Sequence, residues 1–183
     1  MSIQIYILSK LMDGENYPYQ LKREISEPVP FDKMGNVTES KLYYHFESLT
    51  KQGLIEPTKV IHEENRPDKQ YYCITALGKE MLPIKVQQVF EKATKMSDLI
   101  IGLMFIKHID PLTIIPLIVR KQEDLQKKLS QISVIYEQVS LPVGNTSVSV
   151  DFANDYMQDM LAREIDWFKK VIEHLYALKA SEQ

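Results

Sequence analysis

Apolar residues near the start of the chain recur at helical spacing in two short stretches. The first stretch begins at Ile3, and Gly14 ends the helix that it predicts. The second predicts a helix that begins at Pro18, where proline suits a first turn, and ends before Pro28. The two prolines and one glycine of residues 28–36 predict a loop after it.

A third helix is predicted from about Thr38 to Gln52. The Thr38 hydroxyl can cap its first turn, and Gly53 stands where a C-cap glycine belongs. Three apolar residues at helical spacing predict its buried stripe: Leu42, Phe46 and Leu49.

Two strands are predicted after this helix, because residues 55–62 and 70–75 are rich in β-branched and aromatic side chains. The polar residues 63–69 between them have the length of a hairpin connection or slightly more. Three helices followed by a hairpin is the element order of a winged helix-turn-helix, in which the hairpin is the wing.

Longer helices are predicted in the second half of the chain. One is defined by Val89, Ala93, Met96, Ile100 and Leu103. Another begins at Asp110-Pro111, and Pro116 must either kink it or move its start. Residues 141–145 break this second helix, and a last helix begins near Ser147.

The last helix has an unusually wide apolar face. Its first row follows a heptad spacing (Leu161, Ile165, Phe168, Ile172 and Leu175), and a second row widens it (Met157, Met160, Trp167, Val171 and Leu178). This width predicts core packing on one side and a subunit contact on the other. The predicted fold is therefore mainly α with a small β-hairpin. A winged helix-turn-helix occupies residues 1–85 and a helical dimerisation domain residues 86–183, although the segment around Pro83 can also continue as a connecting helix.

Composition excludes several classes of protein. The chain has 183 residues, of which 44% are hydrophobic, and its 6 glycines and 9 prolines are too few for a collagen-like or low-complexity sequence. No apolar run is long enough to cross a bilayer, and the start lacks the pattern of a signal peptide. Together with the single cysteine, Cys73, these features predict a cytoplasmic protein.

Candidate catalytic chemistry is absent from the sequence. The four histidines (His45, His62, His108 and His174) lack ligand spacing with one another and with Cys73, so no metal site is predicted. Asp151, Asp155 and Asp159 are spaced as the solvated face of a helix, and no phosphate-binding glycine loop occurs. We expect neither an enzyme nor a bound cofactor.

Two runs of sequence resemble the PadR family of bacterial transcriptional regulators. The first is SKLYYHFESLTKQGLI (residues 40–55), and the second is KQYYCITALG (residues 69–78). The opening of the chain also fits, through YIL (residues 6–8) and YPYQL (residues 17–21), although Pro18 stands where the family usually has glycine. The resemblance covers roughly residues 3–82. The C-terminal part is similar, more loosely, to larger members that carry a helical dimerisation domain.

DNA contacts are expected from the third helix and the wing. Helical geometry directs Ser40, Lys41, Tyr44 and His45 away from the buried stripe, as a helix that enters a DNA groove requires. The resemblance adds the hydroxyl of Tyr43 as a phosphate contact; the alternative is a half-buried ring that braces the helix pair. Arg66 and Lys69 lie at or beside the predicted wing tip, where cations contact the backbone or the minor groove; the alternative is an ordinary polar turn.

The overall charge is a counter-argument to DNA binding. The net charge is −3, and residues 1–86 alone contain 11 basic and 12 acidic residues, a net charge of −1. Affinity must therefore rest on few phosphate contacts. A dimer doubles these contacts and reads two half-sites about 34 Å apart, which predicts an inverted-repeat operator and almost no binding by a monomer.

PadR-like regulators commonly lose DNA affinity when a small molecule binds, and the resemblance implies an aromatic or hydrophobic effector here. Four residues of the last helix are candidates for an effector site or a subunit contact, with core packing as the alternative: Tyr156, Met160, Trp167 and Phe168. The sequence thus predicts a homodimeric, DNA-binding transcriptional regulator, a repressor by family tendency. A winged-helix protein–protein module without DNA binding is the alternative. An enzyme built on a helical bundle would need a polar cluster in the core that the sequence does not offer.

Overall fold

The computed structural model describes residues 2–26, 38–62, 68–138 and 145–181. The chain forms two compact units, one of Met1–Val89 with Ile101–Ile109 and the other of Phe90–Ile100 with Asp110–Gln183. We call them the first and the second unit.

The first unit begins with two helices, α1 (Ser2–Asp13) and α2 (Pro18–Ser26), as the apolar spacing predicted. Helix α1 is buried on most of its sides, since Ile5, Ile7 and Leu8 point in different directions and are all inaccessible to solvent. The Tyr6 hydroxyl donates a hydrogen bond to the Leu21 carbonyl at 2.8 Å, which ties α1 to α2. Helix α1 is therefore the buried helix of this unit, and it packs against the helix of residues 39–51 and the strand of residues 69–74.

Helix α3 (Glu39–Lys51) has the predicted cap at each end. The Thr38 hydroxyl accepts a hydrogen bond from the Lys41 amide, and Gly53 adopts a φ of +69°, which glycine reaches without strain. The Gly53 amide then donates to the Thr50 carbonyl and the Leu54 amide to the Leu49 carbonyl, which is a Schellman motif. The predicted stripe of Leu42, Phe46 and Leu49 is buried.

The predicted hairpin consists of β1 (Ile55–Ile61) and β2 (Lys69–Ile74), which pair antiparallel with Ile55 opposite Ile74. The register shifts between Pro57 and Val60, since proline has no amide hydrogen for the ladder. The predicted turn at 63–69 lies outside the described residues except for Asp68 and Lys69, and the predicted loop at 28–36 lies outside them entirely.

A compact junction joins the end of α3, the end of the wing and the start of α4 (Ala76–Lys92). The Thr75 hydroxyl donates to the Gly53 carbonyl at 2.7 Å and accepts from the Gly78 amide at 3.0 Å, so it caps α4. The Thr75 amide donates to the Leu54 carbonyl at 3.1 Å. These bonds place the helix that carries Ser40 to Lys51 in a fixed relation to the wing.

Helix α4 runs through Pro83, so the second of the two predictions for this segment, a continuing helix, is the one observed. The prediction of a single helix from Val89 to Leu103 is wrong. Helix α4 ends at Lys92 and α5 (Met96–Met104) begins after a break, because the Asp98 carboxylate accepts hydrogen bonds from the amides of Thr94 and Lys95. This side-chain cap competes with continuation of the helix.

Residues 101–109 belong to the first unit through contacts with α1. The Phe105 ring lies 6.4 Å from the Tyr6 ring, measured between centroids. Just beyond it, in a short 3₁₀ turn (Ile106–His108), His108 Nε2 and the buried Ser9 hydroxyl are hydrogen-bonded at 2.7 Å.

The second unit is built on two long helices, α6 (Pro111–Gln138) and α7 (Asn145–Ser181), which pack antiparallel. Lys179 pairs with Asp110 at 3.3 Å at one end, and the Tyr136 hydroxyl bonds to Asp151 at the other. Helix α6 begins at Asp110-Pro111 as predicted and contains Pro116 in its second turn. The observed fold is the predicted one: mainly α with one antiparallel hairpin.

Candidate nucleic-acid interface

The face of α3 opposite the buried stripe is solvent-exposed and mostly polar. Ser40 and Lys41 are exposed, Tyr43 is 47% exposed and Tyr44 is 66% exposed. Ser40, Lys41 and Tyr44 therefore point away from the core, as predicted from helical geometry. Glu39 and Glu47 lie on the same exposed side and add negative charge to it.

A groove of about 660 Å³ lies beside this face, between the start of α2, the start of α3 and the start of β2. Four tyrosines line it, together with one arginine, one lysine and two carboxylates: Tyr17, Tyr19, Tyr43, Tyr72, Arg23, Lys69, Glu39 and Asp68. Among the described lining residues the two cations and the two carboxylates balance, and the tyrosines add hydroxyl donors.

Tyr43 and Lys69, predicted from the sequence as DNA contacts, both line this groove. Partial burial raises the pKa of the Tyr43 hydroxyl, and the negative charge of Glu39 raises it further. The hydroxyl therefore stays protonated at neutral pH and can donate a hydrogen bond to a phosphate oxygen.

His45 differs from the other predicted contacts because it is half-buried. Burial lowers its pKa, with the nearby Lys41 charge as a further cause, so the ring is neutral at pH 7. Its Nδ1 atom has no hydrogen-bond partner among the described residues. Arg66, the other predicted wing contact, lies outside the described residues.

The wing is held to the α1–α2 connection by ionic and aromatic contacts. Lys59 of β1 pairs with Glu15 at 2.8 Å, and its ammonium lies 4.9 Å from the centre of the Tyr71 ring. The Glu15 carboxylate raises the pKa of Lys59 by hydrogen bonding and by its charge. Lys59 therefore serves the packing of the wing rather than the groove.

Comparison with known proteins identifies this region. Residues 7–83 match the model of the transcriptional regulator PadR-like family. The N-terminal part of this chain is a PadR-like domain. The match begins within α1, continues through α2, α3 and the wing, and ends within α4.

Several solved structures are similar to this chain over nearly all of its length or over about half of it. Bacillus subtilis PadR in complex with operator DNA is 17% identical, with 96% of this chain and 99% of that chain covered and a TM-score of 0.40. A PadR-like transcriptional regulator from Bacillus cereus is 22% identical over 96% of this chain and 98% of that chain, with a TM-score of 0.39. A PadR family regulator from Clostridium difficile is 26% identical over 48% of this chain and 86% of that chain, also with a TM-score of 0.39. No curated protein is similar enough to this chain to count as a relative.

Tyr19 and Arg23 are among the groove residues that were not predicted from the sequence. Tyr19 is 56% exposed and Arg23 is exposed one turn later on α2, so both lie on the face that borders the groove. Their four-residue spacing, in a helix whose other face is apolar, is the signal that could have revealed them.

The four candidate residues on α7 divide by exposure. Tyr156, Met160 and Trp167 are exposed at 62%, 45% and 47%, whereas Phe168 is fully buried. Phe168 is thus part of the core of the second unit, which was the alternative reading for it. The Trp167 ring carries the Lys170 ammonium 4.7 Å from its centre.

Two further kinds of site are absent from the described residues. No group of three or more His, Cys, Asp or Glu side chains there could hold a metal ion. None of the described helices is both long enough and apolar enough to cross a membrane.

Proposed function

We propose that this chain is a homodimeric regulator of transcription that binds an inverted-repeat operator through its PadR-like domain. The observation that carries the proposal is the exposed face of α3 beside the groove. This surface brings Tyr43 of α3, Arg23 of α2 and Lys69 of β2 to one side of the domain. A helix that reads the major groove needs such hydroxyl and cationic neighbours for the flanking phosphates.

In this proposal, α3 enters the major groove with Ser40, Lys41 and Tyr44 toward the bases. The hydroxyl of Tyr43 and the Lys69 ammonium contact the DNA backbone, together with Arg66 and with Tyr19 and Arg23 of α2. His45 is neutral and half-buried, so we expect it to contribute shape and hydrogen bonding rather than charge.

The exposed apolar side chains of α7 are the argument for the proposed dimer. Exposed apolar residues recur along the helix at Val148, Phe152, Tyr156, Met160 and Trp167, and the buried residues Leu161, Phe168 and Leu175 already pack within the unit. A run of exposed large apolar side chains is typical of a protein interface. We propose residues 1–85 as the DNA-binding domain and 86–183 as the dimerisation and effector-response domain.

Repression and release by an aromatic or hydrophobic effector follow from the family resemblance. An effector that binds the DNA-incompetent state better, with a coupling of about 1–3 kcal/mol, lowers operator affinity about five- to 150-fold. Met160 and Trp167 are the exposed candidates for such a site, or for the subunit contact.

Fluorescence anisotropy with a labelled duplex from upstream of the chain's own gene tests the proposal, against a scrambled duplex at low and moderate salt. We expect tighter binding to the upstream duplex and a loss of affinity in Tyr43→Phe and Lys69→Gln. Lys69→Gln should also reduce the salt slope by about one per subunit. Glu39→Gln should raise affinity, because it removes a negative charge from the groove. Lys79→Gln is the matched control, since this exposed lysine of α4 does not line the groove.

A protein–protein module is the second candidate, and the net charge of −1 in residues 1–86 favours it. Equal, weak binding to both duplexes that is unchanged in Lys69→Gln would contradict the DNA-binding proposal and support this one. The operator can also lie elsewhere in the genome, so the same comparison is made on fragments recovered by a genome-wide pull-down.

A further inference from the structure

The connection between α1 and α2 contacts both strands of the wing. The Asn16 amide donates to the Tyr72 carbonyl at 3.1 Å, and the Tyr72 amide donates back to the Asn16 carbonyl at 2.9 Å. On the neighbouring strand, Lys59 pairs with Glu15 at 2.8 Å. The wing is therefore held through the β2 backbone by Asn16 and through the Lys59 side chain of β1 by Glu15.

Tyr17 extends these contacts from the backbone to a side chain of the groove. Its ring lies 4.9 Å from the ring of Tyr71, measured between centroids, at an interplanar angle of 51°. The Lys69 ammonium lies 5.6 Å from the centre of the same Tyr17 ring. Tyr17 and Lys69 both line the groove, and Tyr17 thus lies against two residues of β2, the Tyr71 ring and the Lys69 ammonium.

We propose that Tyr17 is a positioning residue that holds the Lys69 ammonium at the groove, where it meets a DNA phosphate. This inference rests on the proposed function, because it assigns a role in the same DNA interface. Lysine has a flexible four-carbon stem, so an ammonium placed over an aromatic face samples fewer positions before DNA arrives. The Tyr71 ring keeps Tyr17 in place, and the Asn16–Tyr72 bonds keep the β2 backbone at a constant distance from it.

The role differs from a direct phosphate contact in a way that can be measured. If the ring positions Lys69, removal of the ring matters only while Lys69 carries its charge. If Tyr17 contacts DNA through its hydroxyl, Tyr17→Phe is as harmful as loss of the ring. If Tyr17 only stabilises the domain, its loss and the loss of Lys69 act independently.

The test is a double-mutant cycle on the full-length protein, using the duplex that the wild type prefers over its scrambled version. We expect Tyr17→Leu to weaken binding about two- to five-fold per half-site, the range for a cation held over an aromatic face. Tyr17→Phe should bind as the wild type does, and Tyr17→Leu with Lys69→Gln should bind no more weakly than Lys69→Gln alone. Tyr17→Leu should also reduce the slope of DNA affinity against salt concentration, as expected for Lys69→Gln.

Additive losses in the double variant, or equal losses in Tyr17→Phe and Tyr17→Leu, would overturn the inference. So would an unchanged salt slope in Tyr17→Leu. Failure of the proposed function looks different, since the wild type would then not distinguish the two duplexes at all. Circular dichroism checks the fold of each variant, and Tyr17→Met replaces Tyr17→Leu if the latter does not fold.

Discussion

Substitution of Gly78 by alanine sets helix propensity against packing. Gly78 lies in the first turn of α4. In the interior of a helix, alanine is favoured over glycine by about 1 kcal/mol. A methyl group at this position would nevertheless lie 2.0 Å from the Leu54 carbonyl oxygen and 2.7 Å from Ile74 Cγ1. Glycine is required here by the close approach of α4 to the end of α3.

The size of the destabilisation follows from how far α4 must move away from the Leu54 carbonyl oxygen. Real Cβ atoms essentially never come within 3.0 Å of such a neighbour, so the gap to the Leu54 oxygen must widen from 2.0 Å to at least that distance. The same carbonyl accepts the Thr75 amide at 3.1 Å, and this hydrogen bond, with a net contribution of about 1 kcal/mol, is lost or weakened. Overpacking adds about 1–3 kcal/mol, and the gain in propensity offsets about 1 kcal/mol of the total.

We therefore expect Gly78→Ala to lower the free energy of unfolding by about 1–3 kcal/mol, or the melting temperature by about 2–12 °C. Thermal unfolding followed by circular dichroism, with urea unfolding as a second measure, gives this value. Lys79→Ala is the matched control, because it adds a strong helix former at the next, exposed position of α4. A Gly78→Ala variant as stable as the wild type, or more stable, would refute the argument that α4 and the α3 exit are in contact through this glycine.

Three further predictions concern other parts of the chain. Burial, and to a smaller extent the charge of Lys107, lowers the pKa of His108 below its ordinary 6.5. The folded state therefore favours the neutral ring. The contribution of His108 to stability is present above pH 6.5 and is lost as pH falls through the lowered pKa. Melting temperature should accordingly fall between about pH 7.5 and pH 5 in the wild type and fall less in His108→Gln; equal falls would contradict this role. On α7, Phe168→Ala should cost about 3–5 kcal/mol of stability because the ring is fully buried, while Trp167→Glu should shift dimers toward monomers in light scattering with little loss of helix. A Trp167→Glu chain that remains dimeric would place the subunit contact elsewhere.

The local elements of this protein could be predicted from the sequence because their causes are local. Apolar spacing, the Thr38 hydroxyl and the C-cap glycine at 53 determine where α3 begins, which face it buries and where it ends. β-Branched and aromatic residues likewise predict the hairpin. The outward direction of Lys41 and Tyr44 on α3 could be predicted from helical geometry alone.

The groove could be predicted only in part, because its walls come from segments far apart in the sequence. Tyr43 was found from the family resemblance and Lys69 from the position of the wing, whereas Tyr17, Tyr19 and Arg23 reach the groove through the packing of α2 against α3. The break at residues 93–95 was missed because apolar spacing continues across it. Its cause is the Asp98 carboxylate, which bonds two amides that precede it.

Neighbouring residues on α7 show the same division. Trp167 and Phe168 are both large, aromatic and set in one wide apolar face, so the periodicity could assign neither to core or surface. Packing within the second unit decides between them: Phe168 is fully buried, and Trp167 remains 47% exposed. Sequence alone determined the elements and their apolar faces, since these depend on contacts within a few residues. Tertiary structure decided which side of each face is covered and which side chains meet, since these depend on packing between distant segments.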